Sequence, residues 1–396
     1  MVAATGLTTE SYWAAALAGT SGISRLTRFD PDRYPARLAG EVPGFDPAAH
    51  LPSRLLPQTD RMTQLALYVA EHALADARLD VAGQPEFGVG VITASSSGGF
   101  EFGQRELGKL WSKGGAFVSA YQSFAWFYAV NTGQISIRHQ ARGPSGVIVT
   151  EQAGGLDAIA QARRQLRKGT GQVVTGGVDS SLCPWGWVAQ LASGRISVSD
   201  DPRRAYLPFD RDAAGHVPGE GGALLILEDA GLAAARGVRP YGRILGYGST
   251  FDPRPGSGRP PALRRAIELA LADAGRAAVE IDVVFADAAA VPQLDAEEAE
   301  AISAVFGPAA VPVTAPKTMV GRLSSGAAAL DVATALLAIR DGVVPPTVHV
   351  GELAANLALD LVTDRPRRMP LRTALVLARG YGGFNSALVV GAPADT

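Results

Sequence analysis

Short β-branched runs alternate with Ala/Leu-rich helical stretches twice along this chain, which leaves it very few folds. Strands are predicted at 87–93, 146–150, 171–176 and 223–227, then at 243–246, 282–286, 311–313, 373–378 and 386–390. Helical periodicity covers 60–77, 155–168, 262–274, 296–306 and 326–340. Helices of this length between short apolar strands imply parallel or mixed sheets covered on both faces, because a parallel crossover needs a helix to return the chain.

The two halves echo each other. Each runs strand, small-residue turn, Ala-rich helix, strand and a closing pair of strands. Segment 146–168 resembles 311–340 in layout, though not in residues. The strand at 243–246 is expected to close the first half, giving domains of 1–245 and 246–396. The stretch Asp252-Pro253-Arg254-Pro255-Gly256-Ser257-Gly258-Arg259-Pro260-Pro261 then reads as a loop near that boundary.

Composition narrows function by exclusion. A net charge of −2, with neither sign dominating a half, argues against bulk binding to nucleic acid or an anionic membrane. The densest basic run, Arg163-Arg164-Gln165-Leu166-Arg167-Lys168, lies late in a helix, where cations suit the dipole. One cysteine excludes an internal disulfide and a Cys-based zinc site, and the five histidines lack metal-ligand spacing. With no charged leader and no run of about 18 apolar residues, a cytoplasmic, metal-free protein is expected.

Gln152 is the most informative residue. In Gly146-Val147-Ile148-Val149-Thr150-Glu151-Gln152-Ala153-Gly154-Gly155 an apolar run turns through small residues into a helix. Such an elbow sets one side chain on the first helical turn, where free N–H groups and the dipole favour a nucleophile or oxyanion. A carboxamide has its nitrogen lone pair delocalised into the carbonyl, so it cannot serve as the nucleophile. Alone, it reads equally as a polar residue capping its own turn.

Other residues have bland and functional readings side by side. Cys183, beside Pro184 and Trp185, reads as a buried small hydrophobe. His216, in a Gly-rich loop, reads as a side chain bonded to backbone. Trp111, Phe117, Tyr121, Phe124, Trp126, Phe127 and Tyr128 crowd one region, as core or as interface. Phe100, Gly103 and Leu107 fall on one face of a helix, at i, i+3 and i+7.

Four stretches carry a resemblance. They are Val149–Gly155 around Gln152; Phe285-Ala286-Asp287-Ala288-Ala289-Ala290-Val291-Pro292; Lys317-Thr318-Met319-Val320-Gly321-Arg322-Leu323-Ser324-Ser325-Gly326; and Gly380-Tyr381-Gly382-Gly383-Phe384-Asn385. Together, and in this order, they resemble a β-ketoacyl synthase, specifically the chain-length factor of type II aromatic polyketide synthases. The resemblance implies a duplicated thiolase fold, a five-layer α/β/α/β/α sandwich. It places Gln152 where the acyl-accepting Cys stands in condensing enzymes, with Asp287 and Arg322 in place of the two catalytic histidines. Lys317 and Tyr381 complete the vestigial site.

Decarboxylative condensation needs a thiolate to hold the chain and neutral imidazoles to stabilise the enolate and manage protons. Gln152 cannot be acylated, Asp287 would repel an enolate, and Arg322 cannot cycle a proton. No catalytic residue is therefore expected here. The resemblance implies an obligate heterodimer with a catalytic ketosynthase alpha subunit, served by an acyl carrier protein. The phosphopantetheine arm of that carrier is the only cofactor used. Phe100, Gly103 and Leu107 would line the tunnel in which a poly-β-ketone grows. Little bulk at Gly103 and Leu107 implies a roomier tunnel and a product of about ten or more ketide units. The alternative function is malonyl-carrier decarboxylation, with the Gln152 amide as an oxyanion donor. If the fold joins Asp287 and Arg322, they are expected to form an ion pair that fills the dead site.

Overall fold

The computed structural model describes residues 1–254 and 256–394, so Pro255 of the predicted loop lies outside the described residues. Strands β1 (Val89–Ala94), β2 (Ser145–Ile148), β3 (Gln172–Asp179) and β4 (Gly221–Glu228) form a sheet of order β2-β1-β3-β4. All of its pairings are parallel except β3 with β4. A second sheet contains β5 (Arg243–Phe251), β6 (Val283–Phe285), β7 (Pro312–Thr314), β8 (Asp360–Leu361), β9 (Thr373–Gly380) and β10 (Phe384–Gly391). Its order is β8-β7-β6-β9-β10-β5, with β9–β10 and β10–β5 antiparallel.

The longer helices are α1 (Thr9–Ala18), α2 (Arg61–Asp76), α3 (Phe100–Lys113), α4 (Val130–His139), α5 (Gly154–Arg167), α6 (Pro184–Leu191), α7 (Leu263–Ala274), α8 (Pro292–Phe306) and α9 (Ser325–Asp341). Helices α5 and α9 lie between the sheets and touch both; α2 and α4 cover the first sheet outside, and α7 covers the second. That is the expected five-layer sandwich. Helix α9 explains its own place: every residue from Ser325 to Ile339 is buried. A helix dominated by Ala, Leu and Val, whose buried Asp331 is paired with Lys317 and whose Thr334 bonds back to the Leu330 carbonyl, needs no face in water and belongs in the middle layer.

The strand expected at 243–246 to close the first half needs correction. Strand β5 does not close the first sheet; it continues to Phe251 and pairs with β10 in the second. Its glycines look like a stop in the sequence but are packing sites. A Cβ on Gly246 would lie 2.2 Å from the carbonyl oxygen of Ala270, and one on Gly248 would lie 2.3 Å from that of Ala266. Only glycine lets α7 lie so close to β5. Among the described residues no helix is long and apolar enough to cross a membrane, and no cluster of His, Cys, Asp and Glu could hold a metal.

Candidate functional site

Gln152 lies at the end of β2 in a 3₁₀ turn, Glu151–Ala153, that leads directly into α5. The sequence put it on the helix itself; the chain takes one tighter turn first, with Glu151 at φ 53°. The side chain is buried. Oriented to satisfy its surroundings, the amide nitrogen donates to the Ser324 carbonyl at 3.1 Å. Its oxygen accepts from Ser324 N and Arg322 Nε, both at 3.2 Å. The amide is thus occupied on both ends.

Asp287 and Arg322 meet as expected. Arg322 Nη2 donates to both carboxylate oxygens of Asp287, at 2.9 and 2.8 Å, and Nη1 to the Asp287 carbonyl at 2.9 Å. Nη2 also reaches the Arg379 carbonyl at 3.0 Å, while Arg379 N donates to Asp287 Oδ1 at 2.9 Å. Lys317 Nζ donates to the carbonyls of Ala286 and Asp287 at 2.7 and 3.1 Å, and pairs with Asp331 at 2.7 Å. Glu298 accepts from the backbone of Asp287 and Ala288 at 2.7 and 2.9 Å. Burial pushes the Asp287 carboxyl up, but Arg322, Lys317 and the Arg379 N–H outweigh it and hold it below the usual range. The pair stays ionised, and every donor of the guanidinium has a nearby acceptor.

Tyr381 departs from expectation. Its ring is 57% exposed and lies under the Arg195 guanidinium, 4.7 Å from the ring centre; only its backbone N–H reaches back, to Glu151 Oε2 at 2.8 Å. It lies outside the filled site because its turn carries it past the end of β9. His216 bonds to backbone as read, through Nδ1 and the Ala289 carbonyl at 3.3 Å. Burial and the nearby Arg322 lower its pKa to about 3, so it is neutral. Cys183 is buried and caps α6, and burial pushes its thiol up to about 11.

Phe100, Gly103 and Leu107 do share one face of α3. Phe100 stacks on Trp185 with centroids 4.8 Å apart and planes at 7°. A Cβ on Gly103 would sit 3.1 Å from Trp185 Cζ3 and 3.4 Å from Trp126 Cβ. The room expected at Gly103 is therefore taken up by an indole from α6. The open end of the face is at Leu107, 36% exposed, and at Gly108, whose Cβ would meet nothing within 4 Å. Trp185, which packs on Phe100 and against Gly103, was not singled out in the sequence; a Trp just after a helix-starting Pro was its one signal. Most of the aromatic cluster is surface here: Trp111 is 84% exposed and Phe117 59%.

A two-sheet sandwich with two central helices, and a strand-turn-helix elbow at the end of β2 beside the buried Asp287–Arg322 pair, defines a thiolase-type fold. The chain belongs to the β-ketoacyl synthase family: models of the N-terminal and C-terminal domains of that family match residues 1–232 and 241–351. It is 65% identical over 392 residues to the tetracenomycin polyketide synthase ketoacyl synthase beta subunit of Streptomyces glaucescens, covering 98% of this chain and 96% of that one. It is 59% identical over 391 residues to the actinorhodin polyketide putative beta-ketoacyl synthase 2 of Streptomyces coelicolor, with the same coverage. Among solved structures, the ishigamide ketosynthase/chain length factor superposes with a TM-score of 0.89 at 28% identity, covering 99% of this chain and 96% of that one.

Proposed function

We propose that this chain is the non-catalytic chain-length factor of a type II polyketide synthase. It pairs with a catalytic ketosynthase in the cytoplasm and shapes the tunnel in which the poly-β-ketone grows. The single observation that carries the non-catalytic reading is the Asp287–Arg322 pair with Gln152 bonded onto it. The space where an acyl group and its enolate would react is filled and charge-balanced. The cysteine nucleophile comes from the partner, and acyl groups arrive on the phosphopantetheine arm of an acyl carrier protein.

The decarboxylase reading loses ground for the same reason. An oxyanion donor must point its N–H at free space; one of the two Gln152 amide N–H groups already donates to Ser324, and the amide oxygen is held by Ser324 N and Arg322 Nε, so a single N–H is left. Two surface features support the heterodimer. Strand β2 is a free sheet edge, half-exposed along its apolar run, which invites a partner strand. The exposed aromatics at 111–128 add an apolar surface of the kind that obligate interfaces bury.

The gate proposal is tested by product length. In the complex with its ketosynthase, Leu107→Phe and Gly103→Thr are expected to shorten the polyketide. Leu107→Phe narrows the open end, while Gly103→Thr drives Trp185 off Phe100. The same products from all three proteins, read by mass spectrometry, would sink the gate. Malonyl-carrier decarboxylation by the isolated chain, measured as carbon dioxide release, is expected at background; release that falls in Gln152→Ala would restore the enzyme reading.

A further inference from the structure

Helix α3 begins without a cap of its own: Gly99 precedes it and has no side chain to offer its first free N–H groups. A carboxylate from another element supplies one. Asp60, wholly buried, caps α2 by accepting from Met62 N through Oδ1 at 2.8 Å. Its other oxygen accepts from Phe102 N, in the first turn of α3, at 2.7 Å. One side chain therefore ties together the starts of two helices. The approach is close enough that a Cβ on Gly99 would lie 3.0 Å from the Asp60 Cβ. On the outer side of the same turn, Glu101 pairs with Arg28 at 2.6 Å, and Arg28 Nε donates to the Leu182 carbonyl, just before α6, at 3.3 Å.

We infer that Asp60 is a positioning residue for chain-length selection: it fixes the axial position and rotation of α3, and so where Phe100, Gly103 and Leu107 face the growing chain. The inference rests on the proposed gate. The Arg28–Glu101 pair, the Phe100–Trp185 stack and Gln104 Oε1, which accepts from Trp185 N at 2.6 Å, tie the same turn to Arg28 and α6. Among the described residues Asp60 alone ties it to α2, so losing the cap lets the start of α3 shift and turn relative to α2. Rotation moves all three side chains together without changing any of them. An Asn at 60 keeps one acceptor for Met62 but turns an N–H toward the Phe102 N–H, so it releases α3 and leaves α2 capped. Ser keeps a single oxygen for α2 and cannot span to α3.

The test compares polyketides made by the reconstituted heterodimer carrying Asp60→Asn, Asp60→Ser or Leu107→Phe. Asp229→Ala, which uncaps the remote helix Ala230–Ala235, serves as control. The inference expects both Asp60 variants to raise the ratio of minor to principal chain length above that of the unsubstituted complex. Asp229→Ala should lower stability without moving the ratio. If Asp60→Asn fails to assemble, Asp60→Ser decides. An unchanged ratio in assembled complexes, or failure of both variants to assemble, overturns the positioning role. If Leu107→Phe also leaves the products unchanged, it is the gate itself that fails.

Discussion

Arg322 and Asp287 are each costly inside a protein, and they persist because each is the other's counter-ion. Removing one strands a buried charge, so Arg322→Met should cost about 3–5 kcal/mol in unfolding free energy by denaturant titration. The double change Asp287→Leu with Arg322→Met removes both charges and should recover most of that loss. The pair also sets an acid limit. Its carboxyl titrates below its unfolded value of about 3.9, so its stabilisation is present above that pH and is lost as pH falls through the lower folded value. Asp295 behaves oppositely. Burial, opposed by the Phe209 N–H, raises its pKa to about 7, so folded protein holds a proton that unfolded chain releases. Its contribution to stability is lost as pH rises from about 4 to 7. Melting curves of Asp295→Asn should therefore show a smaller decline over that window than the parent protein; parallel declines would refute the assignment. The loss of a nucleophile at Gln152 was plain from the sequence. That its amide is bonded at both ends was not, because it depends on where Ser324 and Arg322 arrive from distant parts of the chain; nor was the exposure of Tyr381, which follows from the turn after β9.

Elements were legible where the pattern was periodic and illegible where packing rewrote it. The strand at 373–378 and the helix at 262–274 were predicted within two residues of their observed ends. Strand β5 was cut short because Gly246 and Gly248 imitate a turn, whereas they answer the approach of α7. Gly248→Val should therefore destabilise the fold by more than about 3 kcal/mol, seen as a lower denaturant midpoint, because its Cβ would overlap the Ala266 carbonyl. Helix α6 was missed since eight residues, two of them Trp, give too little periodicity to count. Its omission mattered, because it carries Trp185 onto Gly103 and Phe100.

At the scale of the whole molecule, the edge strand β2 and the exposed aromatics at 111–128 present apolar surface outward. Placing a charge on that edge should weaken pairing with a ketosynthase far more than it weakens the fold. For Val149→Asp, one residue past the end of that edge strand and 43% exposed, co-purification should fall while the circular dichroism spectrum of the chain stays unchanged. Retained co-purification would move the interface elsewhere. The family models divide the chain between 232 and 241, ahead of β5, which agrees with the sheet that β5 joins.

By itself the sequence determined the alternation of strands and helices and the chemistry of Gln152, Asp287 and Arg322, and four motifs carried the resemblance that implied the duplicated sandwich and the family. Apolar periodicity and residue chemistry are local properties, and they need no partner to be read. Tertiary structure alone decided what the Gln152 amide bonds to, which sheet owns β5, and what occupies the space beside Gly103. Each of those answers depends on an atom brought in from far along the chain: Ser324 for Gln152, Ala266 for Gly248, Trp185 for Gly103. A glycine in sequence shows only that a side chain is absent. The fold shows which neighbour uses the space.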